Sequence, residues 1–422
     1  MRVNIRSAKR GKNERQGIHN WHPYYAGYSE NFVEDILDYM HVNEDSVVLD
    51  PWMGSGTTGL VCQRRGIKTL GVELNPVMVL FSQAKTKSLL EYDMQNIILD
   101  VINKAKIIHT VEIYDNEEVL EYISEEHLIS LNKIRYIIDK SFEELEFKAR
   151  DIEIYKCISS FLYVGIFRCI REIGYFKKSK NPTWLIKDVK IDDKIDVFEL
   201  FLQITSTMIQ DLKLSYGDIN SNQTSLPDIK IGDSRNLQFK DESVDYVITS
   251  PPYLTRIDYA MSTKPELLYL GYKRDTDFNL IRRATMGAPV ITNKQIVFNE
   301  SWGVTIKEFL EKVSNHPTKA ARSYYLPLYL QYFKDAYDSL SEIKRVLKFG
   351  GQASLVVQSS YFKDVEARLG DMYVEIGNEI GLESSILVRE KVKQHIAHVN
   401  TKSSKYVKNK IYYEDVVFFG KR

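Results

Sequence analysis

The chain carries at residues 244–253 the stretch VDYVITSPPY, which decides the fold. Its apolar first half is typical of a short buried strand. Two consecutive prolines cannot continue a parallel ladder, because they donate no backbone hydrogen bond and fix φ. The strand therefore ends in a stiff turn at its carboxyl end, which is the edge of an open α/β sheet where ligands bind. Taken alone, an ordinary diproline loop with a packing tyrosine explains this stretch equally well.

A second stretch, DPWMGSGTTG at residues 50–59, decides between these two interpretations. It lies between a short apolar run and a predicted helix, so its glycines would let a ligand approach the backbone at the positive end of that helix. Glu73 ends the next predicted strand 19 residues after Gly54, near the spacing at which an acid binds a ribose diol. Asp233 ends a further strand, where it can accept from the amine of an adenine. The pattern predicts a nucleoside-like cofactor, whereas the glycine spacing fits a dinucleotide or a nucleoside triphosphate poorly.

The alternation of strands and helices predicts an α/β fold with a doubly wound, mainly parallel sheet and a helical insertion. Residues 1–20 carry six basic side chains against one acid and are expected to form a flexible basic arm. Residues 21–89 and 226–422 form the predicted catalytic domain. Residues 90–225 have helical periodicity without a strand series, which predicts an inserted helical region.

Local signals also set several helix boundaries. Ser29 and Asn75 are expected to cap the helices that follow them. A long amphipathic helix is predicted from about residue 322 to 347, with a bend at Pro327, and another helix from 364 to 380.

Composition limits the remaining possibilities. An apolar share of 44% and a charged share of 27% are typical of a globular protein, and the absence of a run of 18 apolar residues argues against a membrane span. The basic start lacks the apolar segment of a secretory signal. Three cysteines without metal-ligand spacing indicate a reducing cytoplasm and no structural zinc. Basic tracts at 1–20 and 389–410 and an acidic tract at 112–126 suit a polyanionic partner, although solvated faces explain each tract equally well.

Four motifs together, DPWMGSGTT, GVELNP, GDSRNL and TSPPY, resemble the amino-methyltransferases of DNA. That family transfers methyl from S-adenosylmethionine to N4 of cytosine or N6 of adenine. The resemblance covers about residues 20–85 and 226–422 and implies a Rossmann-like class I methyltransferase fold. It departs from the family at Trp52, where phenylalanine is usual.

The resemblance implies a role for each motif. Ser250, Pro251, Pro252 and Tyr253 would be catalytic. Glu73 would bind the ribose and Asp233 the adenine of the cofactor. The methionine portion would be surrounded by residues of the glycine loop, with Tyr24 closing over that end: Asp50, Gly54, Ser55, Gly56, Thr57 and Thr58.

The expected function is site-specific methylation of cytosine N4 in double-stranded DNA, by base flipping and direct in-line transfer. No metal and no covalent nucleophile are needed for this reaction. In the family, serine before Pro-Pro-Tyr is associated with cytosine as the target base. Target recognition would be shared by the insertion at residues 90–225 and the loops of residues 260–320. The enzyme would protect DNA from a cognate restriction endonuclease that acts on the same site without direct contact. The alternatives are an N6-adenine enzyme, an enzyme acting on structured RNA, and a non-catalytic nucleic-acid binder with a vestigial pocket.

Overall fold

The computed structural model describes residues 5–11, 14, 16–23, 27–109, 117–143, 149–177, 186–187, 194–217, 226, 228–254, 257–392 and 410–422. The strands in chain order are β1 Val47–Asp50, β2 Lys68–Glu73, β3 Phe176–Lys177, β4 Ile186–Lys187, β5 Asp228–Ile231, β6 Val244–Thr249, β7 Leu347–Gln358, β8 Ser360–Phe362, β9 Val365–Ala367, β10 Glu383–Lys391 and β11 Tyr413–Gly420. The α-helices in chain order are α1 Glu30–Tyr39, α2 Thr57–Arg64, α3 Pro76–Gln83, α4 Met94–Lys106, α5 Glu125–Glu143, α6 Ala149–Ile173, α7 Val197–Tyr216, α8 Lys264–Tyr269, α9 Asn279–Ala284, α10 Val304–Asn315, α11 Leu326–Val346 and α12 Leu369–Glu379.

The central sheet has the strand order β10-β11-β7-β6-β1-β2-β5. The five strands from β7 to β5 pair in parallel, and β11 runs antiparallel to both β7 and β10. Helices cover both faces of the sheet. Consecutive residues of a strand point to opposite faces, so neighbouring residues of β1 pack against different helices. Val48 packs in the core with α1 and α2, whereas Leu49 packs in the core with α10, α11 and α12. This arrangement confirms the predicted Rossmann-like class I methyltransferase fold.

The inserted segment consists mainly of α4, α5, α6 and α7 in its described part, with the short antiparallel pair β3–β4. Its apolar side chains form one cluster with residues of α3 and α8, including Phe161 and Phe201 from the insertion, Phe81 from α3 and Leu268 from α8. The insertion is therefore packed onto the catalytic half through a shared core. Among the described residues, no helix is long and apolar enough to cross a membrane.

Two helix caps are placed as the sequence predicts. The Ser29 hydroxyl accepts from the N–H of Phe32 at 3.1 Å, and the Asn75 side chain accepts from the N–H of Val77 at 3.1 Å. Each cap satisfies one of the amide groups that the first turn of a helix leaves without a partner.

Two helix starts differ from the prediction. The helix predicted from 322 begins as α11 at Leu326, directly after the π-helical turn Ala321–Tyr325, and Pro327 lies in its first turn, a position at which proline is favoured. The predicted helix from 364 begins only at Leu369, because residues 360–367 form the hairpin β8–β9. That hairpin was not predicted, since three-residue strands carry almost no periodic signal.

Residues 1–20, predicted to be a flexible basic arm, make specific contacts with the folded domain in their described part. Arg6 forms a two-pronged ion pair with Asp35 of α1, and Lys9 forms a β-bridge with Tyr28. Residues 17–20 form a turn of 3₁₀ helix. The basic composition suggested a solvated arm, but these charges bind to partners on the folded domain.

Candidate active site

The diproline turn lies beside the glycine loop because their strands are neighbours. β1 and β6 pair in parallel, with Leu49 opposite Val247, so both chains leave the sheet at the same edge. The Thr249 hydroxyl, one residue before the turn, donates to Asp50 Oδ1 at 2.5 Å. Two segments that are 200 residues apart in sequence are thus joined at the carboxyl edge of the sheet.

The diproline turn is held by the strand and helix next to it. The Ser250 hydroxyl donates to the carbonyl of Val356 in β7 at 3.0 Å, and the Tyr253 hydroxyl oxygen lies 3.5 Å from Ser250 Oγ. The Tyr332 hydroxyl of α11 donates to the carbonyl of Pro252 at 2.9 Å. Because the Ser250 proton is directed to the Val356 carbonyl, the lone pairs on Ser250 Oγ remain to accept a hydrogen bond.

Asp50 is fully buried beneath the loop and does not line the pocket described below. Its carboxylate accepts hydrogen bonds from Thr249, Thr58, Tyr28 and the N–H of Trp52. Burial raises the pKa of the Asp50 carboxyl, and these donors oppose that rise. The carboxylate therefore connects β1, the start of α2 and the end of β6.

The polar loop residues after Gly54 are also buried and bound internally. Thr57 Oγ1 accepts from the Arg10 guanidinium at 2.9 Å, and the Ser55 carbonyl accepts from Lys85 Nζ at 2.8 Å. Gly56 has a φ of +83°, and a Cβ there would lie 3.0 Å from Ser82 of α3. Close packing against α3 thus requires glycine at this position, in addition to the predicted approach of a ligand.

Two buried basic side chains, Arg10 and Lys85, donate hydrogen bonds to the glycine loop, and sequence reasoning missed both. Arg10 donates to the Tyr28 carbonyl at 3.0 Å as well as to Thr57. Lys85 is buried, and this burial together with the charge of Arg10 lowers its pKa to about 7, although Glu30 acts in the opposite direction. Both residues lie outside the glycine motif, so the motif itself gave no signal for them.

Glu73 ends β2 and faces the pocket with a fixed orientation. Its two carboxylate oxygens accept from the N–H groups of Gly54 at 2.8 Å and Asn75 at 2.9 Å. Burial raises the pKa of Glu73, and the two backbone donors oppose that rise. Each oxygen keeps a further lone pair, so the carboxylate can still accept from a ligand.

Asp233 lies at the same edge because β2 and β5 are paired, with Glu73 opposite Ile231. Both of its oxygens accept from the guanidinium of Arg235, at 2.9 and 2.6 Å. Arg235 also donates to Asp335 of α11 at 2.8 Å and to the carbonyl of Ala284 at 2.8 Å. Arg235 thus connects a predicted ligand-binding acid with the opposite pocket wall. Its partner Asp335 lies 100 residues away, which explains why sequence reasoning missed it.

A pocket at the carboxyl edge of the sheet joins these groups. It brings together Glu73, Asp233 and the whole turn Ser250, Pro251, Pro252 and Tyr253, whereas the glycine loop contributes only Pro51 and Trp52. The remaining wall comes from other segments of the sheet edge and from residues after the turn: Leu74, Asn75, Met78, Gly232, Ser234, Arg235, Tyr259, Ala260, Ser262, Ala284, Thr285 and Met286.

Within the predicted methionine-binding loop, Pro51 and Trp52 lie on the pocket wall, whereas Ser55, Thr57 and Thr58 are buried in the protein. Gly54, Ser55, Gly56, Thr57 and Thr58 do not line the pocket, and their contact with a cofactor stays a prediction. Tyr24 lies outside the described residues, so its predicted role also stays a prediction.

The strand order and the pocket at the carboxyl edge define a protein with the class I methyltransferase fold. Over part of its length the chain is similar to DNA amino-methyltransferases. The family model described as DNA methylase, N6_N4_Mtase, matches residues 2–84.

Three similar proteins are type II methyltransferases. M.BsoBI of Geobacillus stearothermophilus is 25% identical over 284 residues, which are 61% of this chain and 54% of that protein. M.MjaII of Methanocaldococcus jannaschii is 31% identical over 142 residues, 33% of this chain and 24% of that protein. M.MvaI of Kocuria varians is 22% identical over 362 residues, which are 80% of this chain and 75% of that protein. The chain thus matches about half of the first relative and a quarter of the second.

Proposed function

We propose that this protein transfers a methyl group from S-adenosylmethionine to an exocyclic base amine of double-stranded DNA. One observation carries the proposal: the diproline turn with Ser250 and Tyr253 lines the same pocket as Glu73 and Asp233. The pocket joins acidic groups, apolar side chains and the diproline turn in one site, so a nucleoside-containing methyl donor and a base can meet at it. The match of residues 2–84 to the DNA methylase family model and the similarity to type II methyltransferases support the same reaction.

Three features of the pocket support S-adenosylmethionine as the cofactor. Glu73 would accept from the ribose hydroxyls, and Asp233 would accept from the adenine amine while Arg235 holds its carboxylate in place. Trp52 and Met78 offer apolar surface between these polar ends. When bound, the cofactor supplies an electrophilic methyl group carried by a sulfonium.

The turn would activate the base by orienting its amine. An aromatic exocyclic amine is a weak nucleophile, because its lone pair is delocalised into the ring. Acceptance of its two N–H bonds by Ser250 Oγ and the Pro251 carbonyl would favour a pyramidal nitrogen whose lone pair faces the methyl group. Ser250 suits this role because its own proton is directed to the Val356 carbonyl. Positioning and exclusion of water then provide most of the catalysis.

The target base must leave the duplex to enter this pocket. Tyr253 offers an aromatic face on which an extruded base can stack, and such stacking contributes roughly 1–3 kcal/mol. Tyr259, which follows the turn, lines the same pocket and offers a second surface for the base.

Of the two amines, we propose N4 of cytosine. Cytosine and adenine both present an amine donor beside a ring-nitrogen acceptor, so this edge does not separate them. The feature that favours cytosine is Ser250, the residue before the two prolines. In the family, a serine at this position is associated with cytosine, and an aspartate or asparagine with adenine. The proposal includes a protective role against a restriction endonuclease that acts at the same DNA site without contacting this protein.

The test uses purified protein, unmethylated plasmid DNA and S-adenosylmethionine with a deuterated methyl group. After digestion to nucleosides, mass spectrometry should detect labelled N4-methylcytosine. Labelled N6-methyladenine would contradict the choice of cytosine but not methyl transfer to an amine. A parallel reaction with structured RNA as competitor should leave DNA labelling largely unchanged, and preferential labelling of RNA would contradict the DNA substrate. Absence of label from both would contradict methyl transfer itself.

A further inference from the structure

Charge is divided unevenly between the insertion and the rest of the chain. Residues 90–225 contain 17 Lys and Arg against 24 Asp and Glu, a net charge of −7. Because the whole chain has a net charge of zero, the remainder carries +7. An acidic segment repels a polyanion, so the insertion is a poor surface for docking phosphates. Phosphate contacts must come mainly from other parts of the molecule.

One part of the remainder, residues 279–325, combines α9, α10 and the segments around them. It contains seven Lys and Arg against three Asp and Glu. Three of these cations have carboxylate partners: Arg282 with Asp258, Lys307 with Glu300, and Lys312 with Glu308. The other four are exposed and, within the described part of the chain, have no carboxylate partner: Arg283, Lys294, Lys319 and Arg322.

Arg283 and Lys294 flank a segment that runs along the mouth of the pocket. Residues 284–286 of this segment line the pocket, and a Cβ on Gly287 would lie 3.1 Å from the carbonyl of Tyr253. Further along, Gln331 of α11 donates to the Val290 carbonyl at 3.2 Å. The segment is therefore held between the catalytic turn and α11.

Lys319 and Arg322 lie in the stretch that leads into α11. Tyr324, two residues after Arg322, donates to the carbonyl of Pro289 at 3.4 Å. Arg322 itself donates to the Ser314 carbonyl at 2.8 Å, which fixes the direction of its side chain. The four cations therefore belong to two adjoining segments beside the pocket mouth.

We propose that Arg283, Lys294, Lys319 and Arg322 form a basic ridge that docks the DNA backbone next to the flipped base. The inference rests on the proposed function, since a base inside the pocket keeps its flanking phosphates close to the pocket mouth. Cations without carboxylate partners exchange only water and mobile ions for phosphate, so their contacts release counterions at little cost. Phosphate docking is thereby assigned to the ridge and not to the acidic insertion, which was expected to contribute to target recognition.

The experiment measures binding of a labelled 40-base-pair duplex of mixed sequence by fluorescence anisotropy over a range of KCl concentrations. Phosphate contacts are independent of sequence, so the recognised site need not be known. Two double variants test the ridge: Arg283→Gln with Lys294→Gln, and Lys319→Gln with Arg322→Gln. The matched control combines Lys68→Gln with Lys240→Gln, two exposed lysines near the amino ends of β2 and β6, at the opposite edge of the sheet.

Each ridge variant should lower the magnitude of the slope of log K against log salt by about 2, because each phosphate contact contributes about 0.9. At 0.1 M salt this corresponds to roughly 10- to 100-fold weaker binding. The control variant should retain the slope and affinity of the wild type. Thermal unfolding midpoints and S-adenosylmethionine affinity should be unchanged in all three, which shows that the variants remain folded.

Unchanged slopes in both ridge variants, or an equal loss in the control, would overturn the inference. If the ridge variants change the salt dependence of binding to structured RNA but not to the DNA duplex, the assignment of the ridge to DNA is overturned. The proposed function fails separately: if the wild type neither binds the duplex nor methylates it, the function is wrong. If the wild type methylates DNA and the ridge variants bind it normally, only the ridge is wrong.

Discussion

The glycine loop at 50–58 and the diproline turn at 250–253 meet at one edge of the sheet but use their polar groups differently. In the loop, the side chains of Asp50, Thr57 and Thr58 are buried and bound to other parts of the protein. In the turn, Ser250 and Tyr253 line the pocket. The residues of these two motifs therefore include some that stabilise the scaffold and others that line the pocket. The two kinds should respond differently to substitution.

The largest expected effect is that of Ser250→Ala on turnover. Loss of the acceptor that orients the target amine should reduce the single-turnover rate about 100-fold or more, with cofactor affinity and stability nearly unchanged. The rate is measured with labelled S-adenosylmethionine, and the affinity by calorimetry. Ser323→Ala, at an exposed position in the turn before α11, is the control and should behave as the wild type. A normal rate in Ser250→Ala would refute its role.

Glu73→Gln should affect binding rather than the chemical step. The amide keeps the shape of the side chain but loses the charge that would accept from a ribose diol, so cofactor affinity should fall roughly 10- to 100-fold. The rate at saturating cofactor should remain within a few fold of the wild type. The control is Glu342→Gln, an acid outside the pocket that also accepts from a backbone N–H, that of Leu237. Equal cofactor affinity in Glu73→Gln and the wild type would place the ribose elsewhere.

Asp50→Asn should act on stability, in contrast to both pocket variants. Its new amide would face the hydroxyls of Thr58, Thr249 and Tyr28, which now donate to the carboxylate. The free energy of unfolding, measured in urea, should decrease by about 1–3 kcal/mol. If Asp50→Asn unfolds like the wild type while cofactor affinity collapses, the carboxylate faces the ligand and the contrast between loop and turn is wrong.

The smallest effect concerns Lys85 and the pH dependence of stability. Burial lowers its pKa in the folded state to about 7 from an ordinary value of 10.5. Between these values the unfolded state holds a proton that the folded state has lost, so stability should rise with pH above about 7. Lys85→Met should remove this rise. Urea unfolding of both proteins at several pH values from 6.5 to 9 measures the difference, and parallel pH profiles would contradict it.

Features with a local sequence signal were predicted well. Ser29 and Asn75 cap helices as expected, because a cap bonds to an amide only two or three residues away. Glu73 and Asp233 share the pocket with the diproline turn, because strand ends in a parallel sheet meet at one edge.

Features that depend on distant partners were missed. Arg10 binds Thr57, 47 residues away, and Arg235 binds Asp335, 100 residues away. No short motif encodes such pairs, and the basic composition near Arg10 even suggested a solvated arm. For the same reason the sequence could not tell that Asp50 points into the protein while Glu73 faces the pocket, since both acids end a strand.

The most direct test is a crystal structure of the protein with S-adenosylhomocysteine, the product left after methyl transfer. We expect the ribose hydroxyls about 3 Å from the Glu73 carboxylate, the adenine amine at Asp233, and the sulfur facing Ser250 across the pocket. A ligand bound outside this pocket, or one inside it with its sulfur directed away from the diproline turn, would contradict the assignment of this pocket as the site of methyl transfer.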